Sequence, residues 1–354
     1  MKKLIISTFN NSNNNYGALF QSCALATFLK KMGYDVYNVT IENRSTINDS
    51  TKIKIKKKIK RFLLLPKKQI MNERSKKLRK FAAENQKQLV YKNVQELYDN
   101  PPEADVYISG SDQVWNPVNL HDDFFLCYAD DSKKKISYAA SMGREKIPLS
   151  VEKKFADYIA RYDCISVRED SMIPIIGRYT NKEIHQHIDP VFLMTKDEWT
   201  KLERPYRELK YDQFILVYAL EWSESHNEKL LQLKKKTGLP AVSINTGNIK
   251  KIHADQVIYN ASPNEFLYVL DKASYVVTTS FHGTAMSVVY NKKFMGFTGS
   301  DKPTRIESLF RHFEMDTRST VDAAISEINY DVVNGIIEQD RKKAREYLLD
   351  SIEN

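Results

Sequence analysis

Residues 275–290, YVVTTSFHGTAMSVVY, contain the pattern that decides the fold. The stretch begins β-branched and apolar, becomes polar between Thr278 and Ser280, and then places His282 and Gly283 ahead of a run with helical periodicity. This order predicts a buried strand, a tight turn and a helix that begins between Ser280 and His282. In an open α/β sheet, ligands bind at the carboxyl ends of strands, next to the free amides of helix N-termini. The pattern therefore predicts a ligand site at this turn.

His282 has two interpretations at this position. An imidazole at a helix N-terminus can contact a bound anion and exchange protons near neutral pH. Alternatively, the side chain caps the helix or bonds a neighbouring loop. The rest of the chain bears on the choice.

The length and composition indicate a globular protein with two domains. At 354 residues the chain exceeds the size of one small core, and 42% of its residues are hydrophobic. It has no apolar run of about eighteen residues, so no transmembrane helix is expected, and the first apolar run is too short for a signal peptide. Cys23, Cys127 and Cys164 are scattered and form no C-x-x-C pair. This pattern favours reduced thiols in a cytoplasm over a disulfide framework or a zinc site.

The net charge of +9 arises from one basic segment. Residues 51–80 contain fourteen Lys or Arg and a single acid, Glu73, so the remaining residues carry −4. Apolar residues lie among these lysines, and Pro66 breaks any helix in the segment in two. The pattern predicts a helical insertion whose apolar face packs on the rest of the protein and whose basic face is solvated. A peripheral contact with anionic lipid or a polyanionic carrier is the second interpretation. Aromatic residues are not interleaved in the manner of nucleic-acid sites, so no nucleic acid is expected as partner.

Strands and helices alternate along the first half of the chain. A strand over 4–8, a helix over 18–32 that Gly33 caps, and a strand over 34–41 predict a βαβ unit with a right-handed crossover. The other predicted elements of this half are strands over 104–109, 135–140, 164–167 and 187–192, and a helix over 155–161.

Polar residues follow these predicted strands. The asparagine-rich loop after the first strand lacks G-x-G-x-x-G, so no dinucleotide fingerprint is inferred. Plain turn chemistry explains most of its asparagines, and the candidate ligand residues at its end are Asn15, Tyr16 and Gly17.

After the strand over 104–109, Gly110 lets the backbone turn sharply. The candidate residues that follow it are Ser111, Asp112, Gln113 and Trp115.

Two further strand ends carry candidate binding residues. Ser141 follows the strand over 135–140, and Arg168 follows the strand over 164–167. A guanidinium at a strand end can hold a phosphate or carboxylate with two parallel hydrogen bonds. A salt bridge from Arg168 to Glu169 or Asp170 is the alternative.

The same alternation restarts after residue 190. Predicted strands over 214–219, 241–244 and 293–297 join the one at 275–278, with helices over 225–236, 263–270 and 306–313. The sequence therefore predicts an N-terminal α/β domain over 1–190, a C-terminal Rossmann-like domain over 191–330, and a C-terminal helix over 331–354 that packs back on the first domain.

Six ordered motifs resemble the polysaccharide pyruvyl transferase family. They are NYGA at 15–18, GSDQVWN at 110–116, YAAS at 138–141, VRE at 167–169, DP at 189–190 and SFHGT at 280–284. The resemblance implies two Rossmann-like domains that face one another across a cleft, as in GT-B glycosyltransferases. It also implies transfer of a pyruvyl group from phosphoenolpyruvate to a saccharide, often of galactose type, to give a pyruvate ketal.

The resemblance also implies how the donor is held. Phosphoenolpyruvate is a small trianion, so cationic groups and oriented amides must bind it. The candidates are Arg168, Arg305 and the start of the helix at Ser280, Gly283 and Thr284. Several family members carry Arg-Leu-His where this chain has Ser-Phe-His at 280–282, so Arg305 or Arg168 must replace the missing arginine.

The chemistry requires an acid and a base. His282 is the first candidate for this role and Asp112 the second. Tyr16 and Trp115 can stack on the acceptor sugar, with burial in the core as the alternative. Asp189 is interpreted as the end of a strand. No metal and no prosthetic cofactor are expected.

Three functions are compatible with the sequence. The first is a pyruvyl transferase acting in surface polysaccharide or capsule synthesis on a saccharide, lipid-linked or free, in the cytoplasm or at the inner face of the membrane. The second is a GT-B glycosyltransferase that uses a nucleotide sugar. The third is a non-catalytic anion- or membrane-binding protein.

Overall fold

The computed structural model describes residues 1–10, 15–44, 65–245, 252–297 and 304–354, without the side chains of 65–71 and 304. Parts of two sequence predictions lie outside these ranges: the asparagine-rich loop at 11–14 and the basic segment at 51–64.

The first half of the chain forms a parallel sheet. Its strands are β1 (Lys3–Ser7), β2 (Asp35–Ile41), β3 (Lys87–Tyr91), β4 (Val106–Ser109) and β5 (Lys134–Ser137), and their order is β3-β2-β1-β4-β5. The parallel pair β6 (Ile165–Val167) and β7 (Ile184–Gln186) lies beside it. The helices are α1 (Tyr16–Lys31), α2 (Leu65–Asn85), α3 (Val94–Asp99), α4 (Leu149–Ala160) and α5 (Ile173–Ile176). We call this half the first lobe.

The second half repeats this arrangement. Its strands are β8 (Ile215–Tyr218), β9 (Ala241–Ile244), β10 (Gln256–Ile258), β11 (Tyr275–Thr278) and β12 (Lys293–Gly296), in the order β10-β9-β8-β11-β12. The helices are α6 (Lys196–Thr200), α7 (Glu224–Thr237), α8 (Pro263–Lys272), α9 (Phe281–Val289), α10 (Thr304–His312) and α11 (Val321–Ile325). We call this half the second lobe. The predicted α/β class with two Rossmann-like halves is confirmed.

The strand order places the binding crevices. In each lobe the order reverses between the first and the fourth strand, and open α/β sheets bind ligands at such switch points, outside the carboxyl ends of the strands. The switch point of the first lobe lies between β1 and β4, and that of the second lies between β8 and β11. The candidate segments at 15–17, 110–113 and 280–284 follow these strands.

The predicted strand over 187–192 is wrong. β7 ends at Gln186, and Pro190–Leu193 forms a 3-10 turn. Proline has no N–H to donate to a strand ladder. The Asp189 carboxylate instead accepts a hydrogen bond from the Val191 N–H at 3.1 Å and caps the turn.

Two short strands were missed by the sequence analysis. β3 and β10 are the outer strands of their sheets, and β3 is only partly covered. Edge strands bury few side chains, so their sequences lack the continuous apolar runs that mark the central strands.

The described part of the basic segment belongs to α2. Leu78 and Phe81 are buried on its inner face, whereas Lys76, Arg79 and Lys80 are exposed. No helix among the described residues is long and apolar enough to cross a membrane.

The C-terminal helix α12 (Tyr330–Glu353) returns to the first lobe. The Tyr347 hydroxyl donates to the Ser137 carbonyl at 2.9 Å, and the Lys2 ammonium donates to the Ile352 carbonyl at 2.8 Å. The buried side chains recur at helical spacing: Val333, Ile337, Ala344, Leu348 and Ile352.

We expect the substitution Leu348→Ala to destabilise the protein by about 2–5 kcal/mol, because it leaves a cavity where α12 packs on the core. Leu348 is 0% exposed and its neighbour Leu349 is 47% exposed. Leu349→Ala is therefore the matched control, with an expected change within about 0.5 kcal/mol. Urea unfolding curves measure both changes, and equal losses in the two variants would contradict the docking of α12.

Candidate functional site

The candidate site lies where the two lobes meet. The first lobe contributes the segments that follow β4, β5, β6 and β7, and the second lobe contributes the beginnings of α9 and α10. All these segments come from carboxyl ends of strands or from helix N-termini, which point exposed amides toward a ligand.

The turn between β11 and α9 fixes the position of His282. Ser280 caps α9, because its hydroxyl accepts from the Gly283 N–H at 3.3 Å. A Cβ on Gly283 would overlap the Thr278 hydroxyl and lie 3.0 Å from the Tyr218 ring, so the close packing of α9 on the sheet requires glycine here. α9 begins at Phe281, within the predicted interval, and His282 lies in its first turn.

His282 lies between the lobes and is 6% exposed. On one side, the backbone of Gly17 in α1 touches it so closely that a Cβ on Gly17 would lie 2.5 Å from the His282 Cβ and closer still to the ring. On the other side, its Nε2 is 3.5 Å from the Asp189 Oδ2. This nitrogen has no hydrogen-bond partner among the described residues. The imidazole thus belongs to the lobe interface.

The Asp189 carboxylate is fully buried at the centre of the site. Its Oδ2 accepts from the Arg168 Nη1 at 2.7 Å and from the Ser111 hydroxyl at 3.3 Å, in addition to facing His282. Burial alone would raise the pKa of this carboxyl, but His282 and Arg168 hold the pKa below its usual range. Asp189 was expected to be structural, and its place in the Asp-Pro motif at 189–190 was the signal that could have marked it as a site residue.

Arg168 is buried and mostly paired. Its Nε donates to the Glu169 Oε1 at 2.9 Å, so the predicted alternative of a salt bridge to Glu169 is present. Burial acts to lower the pKa of Arg168, but Glu169 and Asp189 raise it above its usual value. Its Nη2 is buried without a partner in the described part of the chain. The Glu169 Oε1 also accepts from the Ser141 hydroxyl at 2.9 Å.

Arg305 reaches the same site from α10. The Gln113 side-chain amide lies 2.9 Å and 3.3 Å from its two terminal nitrogens, and the amide oxygen accepts from both when it is turned toward them. Burial and the charge of Arg168 lower the pKa of Arg305. Its Nε has no partner among the described residues. Both guanidiniums lie near the Phe281 ring, the Arg168 group 4.1 Å and the Arg305 group 6.0 Å from its centre.

The cleft beside these residues is small and partly open to solvent. Its volume is about 20 Å³, and its lining includes Arg168, Glu169, Asp189, Phe281 and Arg305. A cavity of this size accommodates about one water molecule.

Other candidate residues support the framework. The Tyr16 hydroxyl donates to the Ala261 carbonyl at 2.7 Å across the lobes, and its ring packs on Phe266. Trp115 is completely buried and donates to the Tyr162 hydroxyl at 3.3 Å. Both aromatic side chains are therefore buried in the core. Burial was the alternative to stacking on the acceptor sugar.

The remaining candidates have local partners. The Asn15 side chain caps α1, and the buried Thr284 hydroxyl donates to the Ser280 carbonyl. Asp112 has a φ of 71°, an unfavourable conformation for a residue with a Cβ. No group of three or more His, Cys, Asp or Glu in the described ranges is arranged to hold a metal ion.

Comparisons with known proteins agree with this architecture. A sequence model of the polysaccharide pyruvyl transferase family matches residues 15–301. No curated protein matches the sequence significantly. The structure is similar to the UDP-GlcNAc 2-epimerases from Methanocaldococcus jannaschii (9% identity, TM-score 0.53, covering 95% of this chain and 91% of that one) and Neisseria meningitidis (11%, 0.53, 99% and 100%).

It is also similar to an α-glucosyltransferase in complex with UDP and a 13-mer DNA containing a HMU base (10% identity, TM-score 0.50, covering 98% of this chain and 95% of that one). At these identities the similarity concerns the fold alone. It confirms the predicted GT-B-like arrangement.

The contact between Gly17 and His282 is testable by adding one methyl group. We expect Gly17→Ala to destabilise the protein by about 1–3 kcal/mol, because the new Cβ must displace the imidazole or α1. Gly335→Ala is the control, since a Cβ there meets nothing within 4 Å in the exposed part of α12. The control should be unchanged or stabilised by up to about 1 kcal/mol. Thermal unfolding midpoints distinguish the two, and a neutral Gly17→Ala would contradict the tight lobe contact.

Proposed function

Because the chain belongs to the polysaccharide pyruvyl transferase family, we propose that it transfers a pyruvyl group from phosphoenolpyruvate to a saccharide and forms a pyruvate ketal. The observation that carries this proposal is a pair of buried guanidiniums beside an imidazole at the interface of the two lobes, each with a nitrogen that has no hydrogen-bond partner among the described residues. Phosphoenolpyruvate offers a phosphate and a carboxylate to such groups.

Arg305 is our first candidate for holding the donor. Among the described residues, no carboxylate lies within ion-pair distance of Arg305. Burial and the charge of Arg168 lower its pKa, which means that its charged form is disfavoured here. A bound anion would compensate this charge. Arg168 offers one nitrogen, Nη2, while its other contacts keep the guanidinium in place. Together the two residues replace the arginine that several relatives carry where this chain has Ser280.

The proposed reaction proceeds by addition and elimination. A proton passes from the His282 imidazole to the methylene carbon of the donor, while an acceptor hydroxyl oxygen bonds to C2 and releases its proton to a base. The bond from C2 to the phosphate oxygen then breaks with its electron pair on the phosphate. A second hydroxyl of the same sugar bonds to C2 and gives its proton to that phosphate. The products are the cyclic ketal and inorganic phosphate. Asp112 is our candidate for the base.

Closure of the lobes suits this chemistry. The site holds about one water in its present form, so donor and acceptor must enter an open form that then closes. Exclusion of water protects the cationic intermediate at C2 from hydrolysis and strengthens the contacts of the guanidiniums with the donor. The saccharide acceptor is proposed to be an intermediate of surface polysaccharide, lipid-linked or free. The exposed basic face of α2 is a candidate contact with the membrane that carries a lipid-linked acceptor.

A ligand competition tests the reaction class. Phosphoenolpyruvate should raise the thermal unfolding midpoint, and a product of the acceptor mass plus pyruvate less one water should form with a suitable galactoside. Stabilisation by a nucleotide sugar alone, with sugar transfer as the product, would favour a glycosyltransferase instead. The acceptor panel should contain simple and lipid-linked galactosides.

We expect His282→Ala to reduce phosphate release from phosphoenolpyruvate and acceptor by about 100-fold or more, the usual effect of losing a general acid or base. His253→Ala is the control, because this histidine is exposed on the second lobe. It should retain the activity of the unmodified enzyme. Near-normal turnover of His282→Ala would remove the imidazole from the mechanism.

We expect Arg305→Ala to raise the KM for phosphoenolpyruvate by roughly 10- to 100-fold, the effect of losing a hydrogen bond to a charged group. The exposed Arg345 on α12 provides the control, and its replacement by alanine should leave the KM unchanged. Steady-state phosphate release at varied donor concentration measures both values. Equal donor affinities in the two variants would count against the assignment of Arg305.

A further inference from the structure

The Gln113 side chain faces hydrogen-bond donors at both ends of its amide. One end lies 2.9 Å and 3.3 Å from the Nη1 and Nη2 of Arg305, and the other end lies 3.1 Å from the Asn116 Nδ2. The Asn116 side chain is itself fixed in direction, because its Oδ1 accepts from the Val118 N–H at 3.0 Å. All three nitrogens that face Gln113 are therefore N–H donors.

An amide cannot satisfy these three nitrogens at once. It has one acceptor oxygen and one NH2 group, so in either orientation one of its ends turns N–H groups toward N–H groups. A carboxylate has an acceptor oxygen at each end and could accept from all three nitrogens. Hydrogen bonding alone thus favours glutamate at position 113, whereas the chain carries the neutral side chain of the same shape.

The amide is held against Arg305 by its own lobe. Gly143, which has a φ of 60°, lies so close that a Cβ on it would be 2.5 Å from the Gln113 Cδ. The Gln113 carbonyl also accepts from the Asn116 N–H at 3.2 Å, which fixes the backbone after β4. These contacts come from the first lobe, whereas α10 of the second lobe carries Arg305. A group fixed on one lobe therefore sets the direction of a guanidinium on the other.

We propose that Gln113 is a positioning residue that fixes the direction of the Arg305 guanidinium and leaves its positive charge for an anionic ligand. The ligand class is a small molecule with a phosphate or a carboxylate, the groups that a guanidinium binds with two parallel hydrogen bonds. The identification of this ligand as phosphoenolpyruvate rests on the proposed function, but the preference for an anion does not. The neutral amide thus contributes to the selection of the ligand.

The charge of Arg305 supports this role. Arg305 makes no ion pair within the described ranges. Arg168, by contrast, pairs with Glu169 and Asp189. Burial lowers the pKa of Arg305 and the charge of Arg168 lowers it further, so the charged form is disfavoured until a negative group arrives. A glutamate at position 113 would supply that negative group from within the protein, and an incoming anion would then meet a paired cation and a repelling carboxylate.

The test is a calorimetric titration of the full chain with inorganic phosphate and with phosphoenolpyruvate. Gln113→Glu should weaken the binding of both anions by roughly 10-fold or more, because the new carboxylate pairs with Arg305. The same variant should keep or raise its urea unfolding midpoint, since all three nitrogens gain an acceptor. A merely structural role of Gln113 would not lower affinity while stability is kept. Unchanged affinity in Gln113→Glu would overturn the inference, and so would failure of this variant to fold.

Direct binding of the ligand by Gln113 is the competing explanation, and a neutral variant separates the two. Gln113→Met keeps the length of the side chain and adds no charge, so it should weaken anion binding by roughly threefold at most. A loss in Gln113→Met as large as that in Gln113→Glu would overturn the inference. Asn119→Asp is the charge control, because this exposed residue lies in the same segment. It should leave both affinities unchanged, and an equal loss there would reduce the effect of Gln113→Glu to net charge and contradict the inference.

Two outcomes separate this inference from the proposed function. A protein that binds phosphate, loses that binding in Gln113→Glu and transfers no pyruvyl group would support the role of Gln113 and reject the reaction. A protein that transfers the pyruvyl group with the same KM for phosphoenolpyruvate before and after Gln113→Glu would support the reaction and reject the role of Gln113. If both proposals hold, Gln113→Glu raises this KM by the factor found in the titration and changes kcat less.

Discussion

The buried carboxylate of Asp189 is the constraint on which the site depends. An ion removed from water is destabilising by several kcal/mol unless hydrogen bonds and opposite charges surround it. Arg168, Ser111 and the Val191 N–H supply hydrogen bonds to it. The Nε2 of His282, on the second lobe, lies 3.5 Å from the same oxygen that Arg168 and Ser111 contact. The fold and the site are linked through this one side chain.

Arg305 presents the opposite situation. Arg168 has two carboxylate partners, whereas Arg305 is held by the neutral amide of Gln113. A desolvated cation without a counter-charge is an unfavourable state that a small anion relieves. In the described part of the chain the site therefore combines a paired ion cluster with a cation that has no counter-charge there, and the second of these attracts an anion. Both guanidiniums lie within 6.0 Å of the Phe281 ring.

The lobes share a buried apolar cluster, in which Phe20 of α1 packs on Phe266 of α8, and hydrogen bonds surround it. The Arg74 guanidinium donates to the Asn245 carbonyl, and the Ser308 hydroxyl donates to Asp170 at 3.0 Å. Each such bond contributes about 1 kcal/mol. The Tyr16 ring, stacked against Phe266, belongs to the apolar contact between the lobes. Burial of these aromatic side chains therefore contributes more to the association of the lobes than any one of the hydrogen bonds.

The sequence by itself determined the local elements and the chemistry available at their ends. The periodicity of residues 275–290 gave the buried strand, the turn and the helix that presents His282, because these depend on neighbours within a few positions. Only the tertiary structure decided which groups meet: Asp189 faces the imidazole, and Tyr16 and Trp115 are buried instead of exposed. Ser111, Arg168 and His282 are far apart in the chain, and their convergence on one oxygen follows from the packing of two sheets. No local pattern encodes a contact of that kind.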